Sequence, residues 1–172
     1  FGQRDIDALL ALTEKYRKEA IRLGKTEIAE ILFRVPAYGA RTFREALQAF
    51  RILHFGLWLE GNYHVTVGRF DQYMMPYLKA DMEKGLQTRE SALDLLEDFF
   101  LSFHKDSDLY PGVQQGDNGQ SMVLGGMKED GSDGFNLLSE LCLEASRNLQ
   151  IIDPKINLRV SRNTPLHIYE LG

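Results

Sequence analysis

Between Gly61 and Pro76 the chain reads GNYHVTVGRFDQYMMP. Asn62, His64 and Thr66 alternate with Tyr63, Val65 and Val67. A period of two with β-branched residues predicts a strand, polar on one face and apolar on the other. Gly68 ends it, and GRFDQYMMP predicts a turn followed by one helical turn that stops at Pro76. Arg69 and Asp71 are spaced to pair and lock that turn. This stretch decides the fold class, because it converts a helical chain into a mixed one.

Outward toward the N-terminus the pattern is helical. Arg4 to Leu23 carries an apolar stripe through Ile6, Leu9 and Leu10, with Gly24 as its C-cap. Glu27 to Phe33 forms a short second helix ahead of Pro36. Thr42 and Glu45 make a T-x-x-E capping box for a third. The ALQAFRILHFGLWLE that follows is apolar on nearly every side, so it should be buried on every side, inside a body larger than this chain supplies.

Outward toward the C-terminus, Thr88 caps a helix to about His104. A loop rich in Asp, Pro and Gly precedes a short strand in QSMVLGG (120–126). A helix from Phe135 to about Leu149, a strand from Ile156 to Val160, and a helix started by Asn163-Thr164-Pro165 complete the order. Strands alternating with helices predict an α/β arrangement with parallel neighbours and about three short strands.

Composition excludes several classes. The 172 residues suit one domain with its own core. Twenty Lys and Arg against 25 Asp and Glu give a net charge of -5, not the basic footprint of a nucleic-acid surface. No apolar run is long enough to span a membrane, and FGQRDIDALL lacks the regions of a signal peptide, so a cytoplasmic, membrane-free protein is expected. The four histidines are scattered and no zinc or EF-hand spacing occurs, so no metal site is expected. The single cysteine, Cys142, lies among leucines and reads as a small buried hydrophobe.

The chemistry-bearing positions are few. His64 sits between two polar residues of one strand face. It is read either as a hydrogen-bonded structural histidine or as one that lines a pocket. Gln120 and Met122 share one face of QSMVLGG and pose the same question, with two glycines beside them that allow close backbone approach. Arg159, a charge within an apolar strand, should have a carboxylate or carbonyl partner, supplied either by substrate or by the protein.

Four stretches, in order, resemble the glycyl radical enzymes: ARTFREALQAF (40–50), LEGNYHVTVGRFDQYMMPY (59–77), QSMVLGGMKEDGSDGFNLLSELCLEA (120–145) and KINLRVSRNTP (155–165). This family includes pyruvate formate-lyase, the glycerol and diol dehydratases, choline lyase and arylacetate decarboxylases. The resemblance implies a segment of a pyruvate formate-lyase domain over 1–172, helical over 1–60 and mixed over 61–172. It implies part of a ten-stranded α/β barrel.

The implied chemistry is hydrogen abstraction from a small substrate by a thiyl radical, in a lyase, a dehydratase or a formate C-acetyltransferase-like enzyme of an anaerobic setting. The glycyl radical would be installed by an iron–sulfur activase using S-adenosylmethionine, with no cofactor bound directly. A homodimer of the full-length protein is also implied. The family's radical glycine, in an R-V-x-G-[YF] loop, and its loop cysteine do not occur in this sequence. No catalytic residue is therefore expected here, and the segment alone should be inactive. By the same resemblance, His64 contacts substrate, with Asn62, Gln120 and Met122 as further substrate-binding residues. Dehydratase-like members carry a His-Ser pair where this chain has His64-Val65. The alternative reading is a non-catalytic, α-rich binding or interaction domain derived from that family.

Overall fold

The helix expected from Arg4 begins one residue earlier. α1 spans Gln3–Arg22, and Gly24 takes φ +68°, the left-handed step that ends it. In the computed structural model, which describes residues 2–61, 64–105 and 120–171, the chain divides into two compact units, Phe1–Gly61 and Asn62–Gly172.

The first unit is entirely helical among its described residues: α1, then α2 (Thr26–Arg34) and α3 (Phe43–Leu59). α1 buries Leu9, Thr13 and Ala20 on one stripe. It meets α3 at Gly56, where the side chain of Leu9 lies within 2.9 Å of the place a Cβ would occupy. Thr42 caps α3 by accepting from the Glu45 N–H at 3.1 Å. The reciprocal half of the expected box is shifted by one residue. The Glu45 carboxylate accepts the N–H of Arg41 at 2.6 Å instead of that of Thr42. It also takes the Arg41 guanidinium at 2.8 Å and lies 3.6 Å from that of Arg34.

Those arginine contacts hold the Glu45 carboxyl below its ordinary value of 4.5, chiefly through the Arg41 hydrogen bond, while its burial works the other way. A lowered folded value means the stabilisation is present above pH 4.5 and lost as pH falls through the folded value. Urea unfolding of this unit, followed by the single tryptophan, Trp58, should therefore shift to lower urea in acid. Glu45→Gln should flatten that shift and leave a smaller midpoint change in acid than at neutral pH. An unaltered acid shift in the variant would remove Glu45 as its source.

Among the described residues the apolar ring of α3 is only partly buried. Phe43, Ala46, Leu47, His54 and Gly56 are buried, whereas Leu53 and Leu59 are about half exposed.

The second unit holds α4 (Phe70–Glu83), α5 (Arg89–Phe103), β1 (Ser121–Gly125), α6 (Leu137–Leu149), β2 (Lys155–Arg159) and the short α7 (Leu166–Tyr169). α4 corrects the sequence reading, for it runs straight through Pro76 for 14 residues. Proline removes one helical N–H donor. Burial of Phe70, Met74 and Leu78 along one stripe offsets that loss. The core is aromatic: Phe70 stacks on Phe99 at 5.4 Å, and Phe99 meets Phe103 edge-on at 4.9 Å. Leu96 and Phe100 of α5 and Leu138 and Leu141 of α6 are fully buried beside them. Arg89 ties α5 to α6 through Glu140 and Glu144 at 2.9 and 2.7 Å.

Two of the three expected strands form. β1 and β2 are parallel, with Met122 opposite Ile156 and Leu124 opposite Leu158. The stretch expected as a strand over 62–67 is not one over 64–66, and Asn62 and Tyr63 lie outside the described residues. Only its end joins the sheet, on the side of β1 away from β2: the Val67 N–H donates to Ser121, and the Val123 N–H to Gly68, both at 2.8 Å. Exposure still alternates, His64 and Thr66 outward and Val67 buried. The apolar alternation that suggested a strand thus places side chains without building a ladder.

Candidate functional site

The sheet has two unlike faces, and the parallel register assigns them. Met122 and Leu124 are fully buried, and Ile156 and Leu158 half-buried, on one face. Ile156 and Leu158 line a groove of about 650 Å³ with Leu143 and Ser146 of α6, so this face looks toward the helices. The other face carries Ser121 and Val123, half-buried, and Lys155, Asn157 and Arg159, exposed. Helices close one side, and polar and cationic groups stand open on the other.

The end of β1 is fixed from the helix side. Asp71, fully buried, accepts the Gly125 N–H at 2.6 Å and the Ser139 hydroxyl at 2.5 Å. The Arg69 guanidinium donates to the Gly125 carbonyl at 3.0 Å. Arg69 and Asp71 therefore do not lock their own turn by pairing, as the sequence suggested. They grip the two polar groups of one glycine 54 residues or more away. Gln72 donates to the Gly134 carbonyl at 2.7 Å, and Asn136 to the Asp71 carbonyl at 3.2 Å. Gly134 must lack a side chain, since a Cβ there would stand 2.7 Å from the Gly126 carbonyl. G-R-F-D-Q is thus a clamp that sets the height and twist of β1.

The sequence-derived site residues fall as follows. His64 is exposed on the irregular approach to the sheet. Asn62 lies outside the described residues. Met122 is fully buried on the helix-facing side of β1, separated from the open face by the strand itself. Gln120 is also fully buried, and among the described residues its amide nitrogen and oxygen have no hydrogen-bond partner. Its backbone bonds the Asp153 carboxylate and the Lys155 N–H, joining the starts of the two strands.

Among the described residues Arg159 has no carboxylate or carbonyl partner from the protein, and it stands exposed, not within the apolar layer. The open-face residues Ser121, Asn157 and Lys155 escaped the sequence reading. Their signal was present in K-I-N-L-R, whose polar residues alternate with period two.

Two ionisable groups, the fully buried Cys142 and Tyr73 with its partly buried hydroxyl, are chemically quiet. Burial, and then the Asp71 charge, push the Cys142 thiol well above its usual range, so it stays protonated. Tyr73 is raised chiefly by burial, and its hydroxyl donates to the Val67 carbonyl at 2.7 Å. Among the described residues no His, Cys, Asp and Glu group could hold a metal ion, and no helix is long and apolar enough to cross a membrane.

Comparison with known proteins bears on this arrangement. A family model described as Pyruvate formate lyase-like matches residues 3–170. The chain is similar to the trans-4-hydroxy-L-proline dehydratase of Clostridioides difficile, 28% identical over 184 residues covering 92% of this chain and 23% of that one. It is 34% identical over 146 residues to the 4-hydroxyphenylacetate decarboxylase glycyl radical subunit of the same organism, covering 81% of this chain and 16% of that one. A solved structure concerned with 1,2-propanediol dehydration in Roseburia inulinivorans superposes with a TM-score of 0.89 at 27% identity, over 96% of this chain and 23% of that one. The chain thus spans less than a quarter of the length of each relative.

Proposed function

The chain belongs to the pyruvate formate lyase-like family of glycyl radical enzymes, and from that premise we propose that it is one segment of a longer radical lyase or dehydratase. The observation that carries this reading is the two-faced sheet. Its helix-facing side is locked by Asp71 and Arg69, and its open side presents Ser121, Val123 and Asn157. In a barrel the open side is the lumen, which excludes water and oxygen and so suits radical chemistry. The thiyl and glycyl groups belong to other parts of the polypeptide. The radical that a partner activase installs with S-adenosylmethionine supplies the hydrogen abstraction.

The role of this segment is to bind and orient. His64, exposed on the approach to the sheet, hydrogen-bonds a hydroxyl of the small substrate and assists its departure. Asn62 and the Gln120 amide, whose buried polar atoms await partners, belong to the same site's supporting shell. Because Met122 is buried against the helices, its share of the contact passes to Ser121 and Val123 beside it. A cytoplasmic homodimer is the proposed working form.

The test uses the protein as its gene encodes it, mixed anaerobically with a radical S-adenosylmethionine activase. A glycyl-radical doublet in electron paramagnetic resonance, with substrate turnover, is expected. His64→Ala should keep the doublet and lower kcat/KM by about 10²–10⁴-fold, the usual size of a lost proton-transfer group. No radical in the wild type would overturn the lyase reading. Full turnover in the variant would remove His64 from the site.

A further inference from the structure

We infer that the open face of the sheet selects a substrate bearing a carboxylate or sulfonate, and that Arg159 holds that anion. The inference rests on the reading of this face as the substrate-facing wall. Arg159 closes β2 and stands opposite Gly125, the last residue of β1. In open parallel sheets, ligands gather at these carboxyl ends of the strands.

Its stem lies along Gly126. A Cβ on that glycine would stand 3.3 Å from Arg159 Cβ, 3.5 Å from Cδ and 3.6 Å from Nε. Gly126 takes φ +83°, so a side chain there would be strained as well as crowded. The glycine thus leaves a bed that fixes the arginine stem.

Among the described residues the guanidinium has no hydrogen bond or ion pair. Two of the three carboxylates of the adjoining loop are already engaged, Asp133 by Thr164 and the Phe135 N–H, and Asp130 by Ser132, while Glu129 stands exposed and makes no ion pair with Arg159. On the face itself, Ser121, Val123, Asn157 and Lys155 bring a second cation and no acid. Arg159 is exposed here, and only within the enclosed lumen that the proposed function assigns to this face would it need an anion, since a charge left unpaired away from water is strongly disfavoured. A planar fork of N–H donors matches a carboxylate or sulfonate in a way a neutral diol does not.

The test titrates the unactivated protein, as its gene encodes it, with glycolate, isethionate and ethylene glycol by calorimetry. These probes share a hydroxyl and differ in their second group. We expect at least one anion to bind about 10-fold or more tighter than the glycol. Arg159→Gln should weaken that anion by about 10- to 100-fold and leave the glycol unchanged, and Arg159→Lys should recover part of the loss. Glycolate and isethionate separate the carboxylate from the sulfonate case.

Three results overturn the proposal: no measurable binding of either anion, equal weakening of all three probes, or a lowered melting temperature with the anion preference intact. The last would mean that Arg159 pairs with a carboxylate of the protein. Radical formation is scored separately on the wild type. A doublet without anion preference sinks this inference and leaves the lyase reading standing; anion preference without a doublet does the reverse.

Discussion

Asp71→Ala should lower the stability of the unit that holds the sheet by about 3 kcal/mol, with no contact to substrate involved. The alanine leaves the Gly125 N–H and the Ser139 hydroxyl without their acceptor in a fully buried place. An orphaned buried donor costs about 1–3 kcal/mol. Relief of a buried carboxylate, one of whose oxygens has no partner, offsets part of that. Asp71→Asn keeps an oxygen for these donors, so it should cost about 1 kcal/mol. Trp58 belongs to the other unit, so the readout must be local to the sheet. Hydrogen exchange of the amides of β1 and α6 is the suitable readout. Equal losses for Ala and Asn would show that charge, not the acceptor geometry, is what Asp71 provides.

Phe70→Ala should cost more, about 3–5 kcal/mol, the usual toll for emptying a buried aromatic site. Phe70 is fully buried, stacked on Phe99 of α5 and set edge-on to Tyr73 at 5.8 Å. It begins α4, immediately between the two clamp residues Arg69 and Asp71. The cavity would therefore loosen the clamp as well as the core. Exchange should rise together in α4, α5 and at Gly125. Phe70→Leu, which keeps much of the volume, should restore most of the loss. A rise confined to α4 would show that the clamp holds without its aromatic anchor.

Helices and caps were legible in the sequence because their signals are local. Thr88 caps α5 and Thr42 caps α3 where the spacing placed them. Gly24 ends α1 by its own backbone conformation. The failures involve partners far along the chain. Nothing within 68–76 announces that Asp71 reaches Gly125 and Ser139, so a local ion pair was the natural reading. Pro76 reads as the end of a helical turn because its cost is local, while the burial that outweighs it is tertiary.

The candidate site divides the same way. Alternation in 62–67 correctly separates outward His64 and Thr66 from buried Val67, although it cannot say whether a ladder forms. Met122 was placed with Gln120 on one face, as it is, but which face meets helices depends on α4 and α6. The apolar neighbours of Arg159 in sequence call for a partner but do not say which face it joins. Only the register with β1 shows that Lys155, Asn157 and Arg159 share the open side.

The clamp on Gly125 has a consequence for how such a protein diversifies. Its gripping residues, Arg69, Asp71, Gln72 and Asn136, act on backbone groups, or come from the helix side, and none belongs to the open face. Strand placement and surface chemistry are therefore encoded by separate sets of positions. Ser121, Val123, Asn157 and Arg159 form a palette that can be rewritten while the strand stays where it is. A combinatorial library confined to those four positions should yield mostly folded proteins, and a library of the same size drawn from the clamp should yield few.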